Sequence, residues 1–234
     1  AVHGFLHLLR YKRGQDELME TPASIPDQRQ PDTQAAREIL QRVLSEGRLW
    51  ASEPEAKQVL KAYGVPICDT RMVSDVDAAV QAAEEMGYPV VLKVISGEIT
   101  HKSDVGGVEL ALESAEQVRA AAERMQSTIG ELRPDATIEG FSVQQMIDRP
   151  DAHELIVGAT EDVQFGPVLM FGHGGTAVEV RRDQALALPP LNMNLAHSMI
   201  ARTRVHALLH GYRGHPQADI NGIARALNMI SQLV

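Results

Sequence analysis

Strand-like and helical segments follow one another along this chain without the strict strand–helix–strand order of a doubly wound sheet. That order predicts a fold of α+β subdomains. The spacing predicts a helix from Thr33 to Gly47. Ser52-Glu53-Pro54-Glu55 has capping-box spacing, with Pro54 in the first turn, where its missing N–H costs least. The helix it opens ends near Gly64, and Pro66 bars continuation. Ser74-Asp75-Val76-Asp77 opens another, closed by Gly87. Tyr88 to Ile95 is short and β-branched, an interior strand; a polar loop from Ser96 to Gly106 leads to a second strand, Val108 to Leu112. Ser114 to Met125 is helical, with Val118, Ala121, Ala122 and Met125 on one face. Thr137–Ile147, Glu154–Ala159, Pro167–Phe171 and Ala177–Val180 read as strands, and Leu195–Leu209 and Asp219–Val234 as helices.

Composition removes several function classes. The 44% apolar fraction is that of an ordinary globular chain. A net charge of −9 argues against a protein whose main business is gripping a nucleic-acid backbone, although it leaves room for a local basic pocket. The single cysteine, Cys68, excludes an intramolecular disulfide and any multi-cysteine zinc site, and is most simply a small core residue. No apolar run approaches the roughly 18 residues of a membrane span, and no signal-peptide pattern opens the chain. The expectation is a cytoplasmic protein with neither membrane nor nucleic acid as partner. The chain opens on Ala1 and stops at Val234 inside an apolar-periodic stretch (Ile220, Ile223, Leu227, Ile230, Val234), so it is expected to be a piece of a longer protein. Residues 1–20 have the character of the tail of a helix from a preceding domain. Thr21 to Asp32, with Pro22, Pro26 and Pro31, reads as a linker.

The first residue with chemistry is Lys93. Strand alternation puts Val91, Lys93 and Ile95 on one face, where an ammonium is costly to bury unless an anion meets it. It is either a phosphate contact or a lysine at a strand edge that snorkels to water. Eight residues later stands His101-Lys102-Ser103-Asp104-Val105-Gly106-Gly107-Val108. Paired glycines let a backbone approach a ligand and turn successive N–H groups toward it, which suits a phosphate cradle. His101 is chemically able to accept a phosphoryl group, or is an ordinary hydrogen-bonding loop residue. Phe171-Gly172-His173-Gly174-Gly175-Thr176 is a second glycine-rich stretch, but it opens no helix as a dinucleotide fingerprint does, and it lacks the P-loop lysine. A flexible turn between strands accounts for it equally well, and Glu154 reads equally as an edge carboxylate. His206 and His210 lie i, i+4 on a predicted helix without a third metal-ligand partner.

Taken together, Gly87-Tyr88-Pro89-Val90-Val91-Leu92-Lys93 and His101 to Val108 resemble the nucleotide-binding stretch of NDP-forming acyl-CoA synthetases. The ATP-grasp module of those enzymes is related to the β subunit of succinyl-CoA synthetase. Glu154-Leu155-Ile156-Val157-Gly158, Phe165-Gly166-Pro167-Val168, Gly174 to Val180 and Leu186 to Asn192 fit the same family in order, over roughly residues 48 to 234. Phe5-Leu6-His7-Leu8, Leu18-Met19-Glu20-Thr21-Pro22 and Trp50 to Lys57 resemble the bifunctional bacterial proteins that join such a region to a GNAT acetyltransferase domain of the Pat type. The resemblance implies an ATP-grasp fold, two α+β subdomains gripping a nucleotide. Residues 1–20 would then end a preceding succinyl-CoA-ligase-like domain, 21–47 form a linker and helix, and 48–234 form the ATP-grasp domain, incomplete at its C-terminus.

By the same resemblance, Lys93 contacts the nucleotide phosphates, and His101, Lys102, Ser103, Gly106 and Gly107 form the phosphate-facing loop. His101 matches the phosphohistidine that hands its phosphoryl group to ADP. Gln145 stands at an adenine-side hinge position that is Glu in succinyl-CoA synthetase, and Glu154 matches a second nucleotide-side carboxylate. The implied cofactors are ATP/ADP and Mg²⁺. In the family the metal is held by an Asn and an Asp from segments absent here, which leaves Glu179 and Asp183 as the residues that could approach it. The chain by itself is therefore expected to bind nucleotide poorly and to catalyse nothing. Implied partners are the CoA-binding and ligase domains of the same polypeptide, a GNAT domain, acyl-CoA, and further copies in a homo-oligomer. The alternative is a catalytically inactive module that senses acyl-CoA or nucleotide for a protein lysine acetyltransferase. A free-standing subunit paired with a separate CoA-binding chain is a third arrangement, against which the linker and upstream remnant count.

Overall fold

Alternation along Val90–Ile95 sets up the first half of the architecture. In the computed structural model, Val90, Leu92 and Val94 are fully buried on one face of this strand, and Val91, Lys93 and Ile95 take the other. The structure describes residues 2–19, 30–99, 101–175, 183–212 and 216–234. The chain divides into two compact units: Ser52–Pro54 with Ile67–Arg149, and Ala1–Ala51 with Glu55–Pro66 and Pro150–Val234.

In the first unit, strands β1 (Thr70–Val73), β2 (Val90–Ile95), β3 (Val108–Leu112) and β4 (Gly140–Gln145) make a sheet of order β1-β4-β2-β3, antiparallel throughout. Helices α4 (Val76–Met86) and α5 (Ala115–Leu132) supply the rest of its core. Ala79, Ala82 and Ala83 on α4 carry little bulk. Against them α5 sets the stripe Val118, Ala121, Ala122, Met125 and Ile129. The apolar period of α5 therefore continues past the predicted end at Met125, to Ile129. Capping follows the sequence signals with a one-residue shift at α4. There the cap is Asp75, whose carboxylate accepts from the Ala78 amide at 2.9 Å while Ser74 donates its hydroxyl to it. Ser114 caps α5 by accepting from the Gln117 amide.

The second unit holds α1 (Val2–Met19), α2 (Thr33–Ser45), most of α3 (Glu53–Ala62) and a three-stranded antiparallel sheet. That sheet has the order β5 (Leu155–Asp162), β6 (Gly166–His173), β7 (Gln184–Ala187). Leu169 and Phe171 of β6 pack with Met199 and Ile200 of α6 (Met193–Ala201), Leu209 of α7 (Val205–Leu209) and Leu227 of α8 (Ile220–Leu233). Glu55 is drawn into a two-point ion pair with Arg48, at 2.9 and 2.8 Å, whose guanidinium pKa is raised chiefly by that hydrogen bond.

The expected single helix over Leu195–Leu209 is two helices. Thr203 turns its hydroxyl back onto the Ile200 carbonyl at 2.7 Å, and a new start is capped at residue 205. Of the expected strand Thr137–Ile147, only Gly140–Gln145 is paired. Strands β1 and β7 were not read from the sequence as complete elements, since each is four residues long. The strand expected at Ala177–Val180 lies outside the described residues. Among the described residues no helix is long and apolar enough to cross a membrane.

Candidate functional site

Antiparallel pairing sets Lys93 of β2 opposite Ser142 of β4, and Val91 opposite Gln144. Lys93, Ser142 and Gln144 therefore share the face of the sheet that points away from the core under α4 and α5. Ser142 and Gln144 are nonetheless buried, and buried polar groups require partners. Ser142 Oγ accepts from Gln144 Nε2 at 3.5 Å, and the main partner of Gln144 is Glu53, in the first turn of α3. One oxygen of its carboxylate, Oε1, accepts from Lys93 Nζ at 3.0 Å and from Gln144 Nε2 at 2.7 Å. The side chains of Lys93 and Glu53 retain 23% and 35% of their exposure, so this pair reaches solvent.

Sequence reasoning placed Lys93 on the right face and missed its two companions. Gln145, one residue along, is the position that the family resemblance makes an adenine-side hinge, and alternation puts its side chain on the opposite side from Lys93. Gln145 is exposed; its amide donates to the Asp69 carbonyl and its carbonyl accepts from the Cys68 thiol at 3.1 Å. Parity along β4 could have found Gln144. Glu53 was hidden because capping grammar already explained the run Ser52 to Glu55.

The loop after β2 holds a short 3₁₀ turn, Lys102–Val105. Its amides do not form the expected cradle. Asp104 N donates to the His101 carbonyl, Gly106 N to Ser103 and Gly107 N to Lys102 at 2.7 Å, so these N–H groups are used inside the loop. Gly106 adopts the left-handed conformation (φ 70°) that closes the turn. A Cβ on Gly107 would lie 2.6 Å from Val94 Cγ1 and 3.0 Å from the Lys102 carbonyl. The glycines seat the loop on β2, and what the loop presents outward is the exposed side chains of His101 and Ser103 beside the half-buried Lys102.

In the second unit, Glu154 stands exposed just before β5, and the glycine-rich stretch explains itself around it. Gly174 N donates to the Glu154 carbonyl at 2.8 Å. A Cβ on Gly174 would meet the backbone of Glu154 and Leu155 at 3.0 to 3.1 Å, and one on Gly175 would lie 2.9 Å from Glu154 Oε2. These glycines fit the chain closely around a carboxylate.

The two carboxylate oxygens of Asp183 accept the amides of Arg204 (2.6 Å) and Val205 (2.7 Å), so this residue caps α7. Glu179 lies outside the described residues. Among the described residues no three His, Cys, Asp or Glu side chains converge, so the protein offers no all-protein cage; a nucleotide-bound Mg²⁺ would take most of its oxygens from phosphates and water.

Two antiparallel α+β units, with a lysine-bearing strand followed by a glycine-seated loop, form a recognisable combination, and a family model described as an ATP-grasp domain matches residues 42–234. The chain belongs to the ATP-grasp family. It is 40% identical over 199 residues to the acetate–CoA ligase (ADP-forming) II β subunit of Pyrococcus furiosus, covering 85% of this chain and 84% of that one. It is 41% identical over 203 residues to acetate–CoA ligase (ADP-forming) I of Archaeoglobus fulgidus, covering 86% of this chain but 29% of that longer one. Among solved structures it matches the acetyl-coenzyme A synthetase 1 of Ca. Korarchaeum cryptofilum in complex with coenzyme A and Ca-AMPCP. The TM-score is 0.80 at 39% identity, over 84% of this ATP-grasp chain and 85% of that one. A second structure of that enzyme holds coenzyme A and Mg-AMPPCP with a phosphohistidine segment pointing towards the nucleotide binding site (TM-score 0.74, 37% identity, 84% of each chain).

Proposed function

We propose that this ATP-grasp module binds ATP or ADP for an ADP-forming acyl-CoA synthetase that interconverts acyl-CoA, ADP and phosphate with acid, CoA and ATP. The observation that carries the reading is the Lys93 ammonium on the outward face of β2, with the side chains of His101 and Ser103 exposed beside the half-buried Lys102 on the loop that follows. In the synthetic direction the phosphoryl group leaves a histidine nitrogen as its P–N bond breaks, and a β-phosphate oxygen of ADP forms the new P–O bond. His101 is the histidine of that last transfer. Lys93, Lys102 and Ser103 offset charge on the phosphoryl oxygens. Glu154 and Gln145 serve the nucleoside end. Mg²⁺ accompanies the nucleotide analogue in the K. cryptofilum enzyme, where it would supply further charge compensation for the phosphates.

The P. furiosus β subunit, matched over 84% of its length, is the counterpart for a separate CoA-binding chain. The longer A. fulgidus chain, matched over 29% of its length, supports a reading in which the CoA-binding part is carried by the same polypeptide and residues 1–20 end the domain that precedes. The exposed Phe5, Leu8 and Tyr11 on α1 support that arrangement. The acetyltransferase-fused reading draws no support from these relatives, which carry ligase names, and the ligase reading is the better one.

The test is incubation of the full-length protein with γ-³²P-ATP. Acid-labile, base-stable label is expected, and it should disappear in His101→Ala. Label that persists in that variant would remove His101 from the relay, and no label at all would favour a regulatory module.

A further inference from the structure

The oxygen that Lys93 and Gln144 share belongs to the protein. Glu53 Oε1 receives one ammonium N–H and one amide N–H, at 3.0 and 2.7 Å. An anionic oxygen held by two such donors is also how a phosphate oxygen would be held at this place. Lys93 cannot serve both acceptors at full strength, because its ammonium is already directed at the carboxylate.

We propose that Glu53 is an internal counter-ion of the phosphate site, a positioning residue that a nucleotide phosphate oxygen replaces on Lys93 and Gln144 when it binds. This rests on the reading of Lys93 as a phosphate contact. Three observations carry the exchange. The Lys93–Glu53 pair keeps access to solvent on both sides, so it opens without unpacking the core. The core residues lie on the other face of the sheet, where Val90, Leu92, Val94, Phe141 and Val143 are buried. Gln144 is fixed by its burial and by Ser142 beside it, at 3.5 Å, so its amide stays in place to receive the next acceptor. Until nucleotide arrives, Glu53 keeps a half-buried cation and a buried amide from standing unpaired. Its cost is competition with the ligand, and like-charge repulsion once a phosphate sits nearby.

The experiment measures ADP and adenosine binding by calorimetry on the full-length protein and on its Glu53→Gln, Glu53→Asp and Lys93→Met variants. Removing the competing charge in Glu53→Gln should tighten ADP about three- to fivefold, the scale of a solvent-reachable ion pair, and leave adenosine unchanged. Glu53→Asp, with a carboxylate drawn back by one methylene, should tighten ADP by a smaller factor, and it carries the test if Glu53→Gln does not fold. Lys93→Met should weaken ADP about tenfold or more. If Lys93→Met binds ADP like the parent, the reading of Lys93 itself fails. If Lys93→Met weakens ADP while Glu53→Gln binds it no tighter, the exchange is overturned and Lys93 remains a phosphate contact. Equal tightening of adenosine would also overturn the proposal, because adenosine carries no phosphate to compete.

Discussion

Gly107 shows how a residue chosen for one reason can matter for another. Its sequence context suggested backbone freedom and amides turned to a ligand; in the structure its amide closes the loop, and its missing side chain makes room for Val94 and the Lys102 carbonyl. Val94 is fully buried, so it cannot move aside. Gly107→Ala is therefore expected to cost about 1–3 kcal/mol by overpacking, read as a lower urea midpoint. Unchanged stability would mean the loop shifts as a body. The same residue scale shows what the sequence made legible. Lys93 stood out because a charge among β-branched neighbours conflicts with its strand. Gln144 did not, because nothing in a run of polar residues marks which of two adjacent glutamines faces the lysine until pairing with β2 is known. Glu53 is separated from Lys93 by 40 residues, and only tertiary structure joins them.

At the scale of elements, strong local grammar survived and weak grammar did not. The stripe on α5 sits where the sequence placed it, and the helices expected from Ser114 and Asp219 start there, capped by those residues, because each start is decided within one or two turns. The break between α6 and α7 was not legible, since the new start is capped by a carboxylate from 21 residues before Arg204. Asp183 supplies both acceptors for the first amides of α7. Replacing it by Ala leaves those N–H groups without their acceptors, and a loss of about 1–2 kcal/mol is expected. The loss should appear in chemical denaturation as a lower midpoint. A variant as stable as the parent would show that water caps this helix equally well.

On the scale of the whole molecule, the α+β architecture followed from the irregular order of strands and helices, and the two cores realise it separately. The unit formed by Ser52–Pro54 and Ile67–Arg149 contains five carboxylates held below their ordinary pKa range. Asp75 is held by the Ala78 amide, Glu85 by Arg71, Glu98 by the Ser96 hydroxyl, Glu116 by the Ser114 hydroxyl and Asp135 by Arg133. Each is lower when folded than unfolded. Their stabilisation is thus complete above the ordinary carboxylate range and is lost as pH falls through the folded values. The urea midpoint of this unit should fall between about pH 5 and pH 3, with a shallower slope in Asp75→Asn. A flat profile in the parent would contradict this. The same unit has another property, set by its strand order. Its first and last strands, β1 and β4, are hydrogen-bonded neighbours, with Thr70 opposite Gln144 and the Asp69 carbonyl bonded to the Gln145 amide. The main segment of the unit, residues 67–149, therefore comes in and leaves through adjacent strands, about 4.8 Å apart. It is topologically a cassette with one further tie, Ser52–Pro54, so any exchange of it must keep a partner for Glu53.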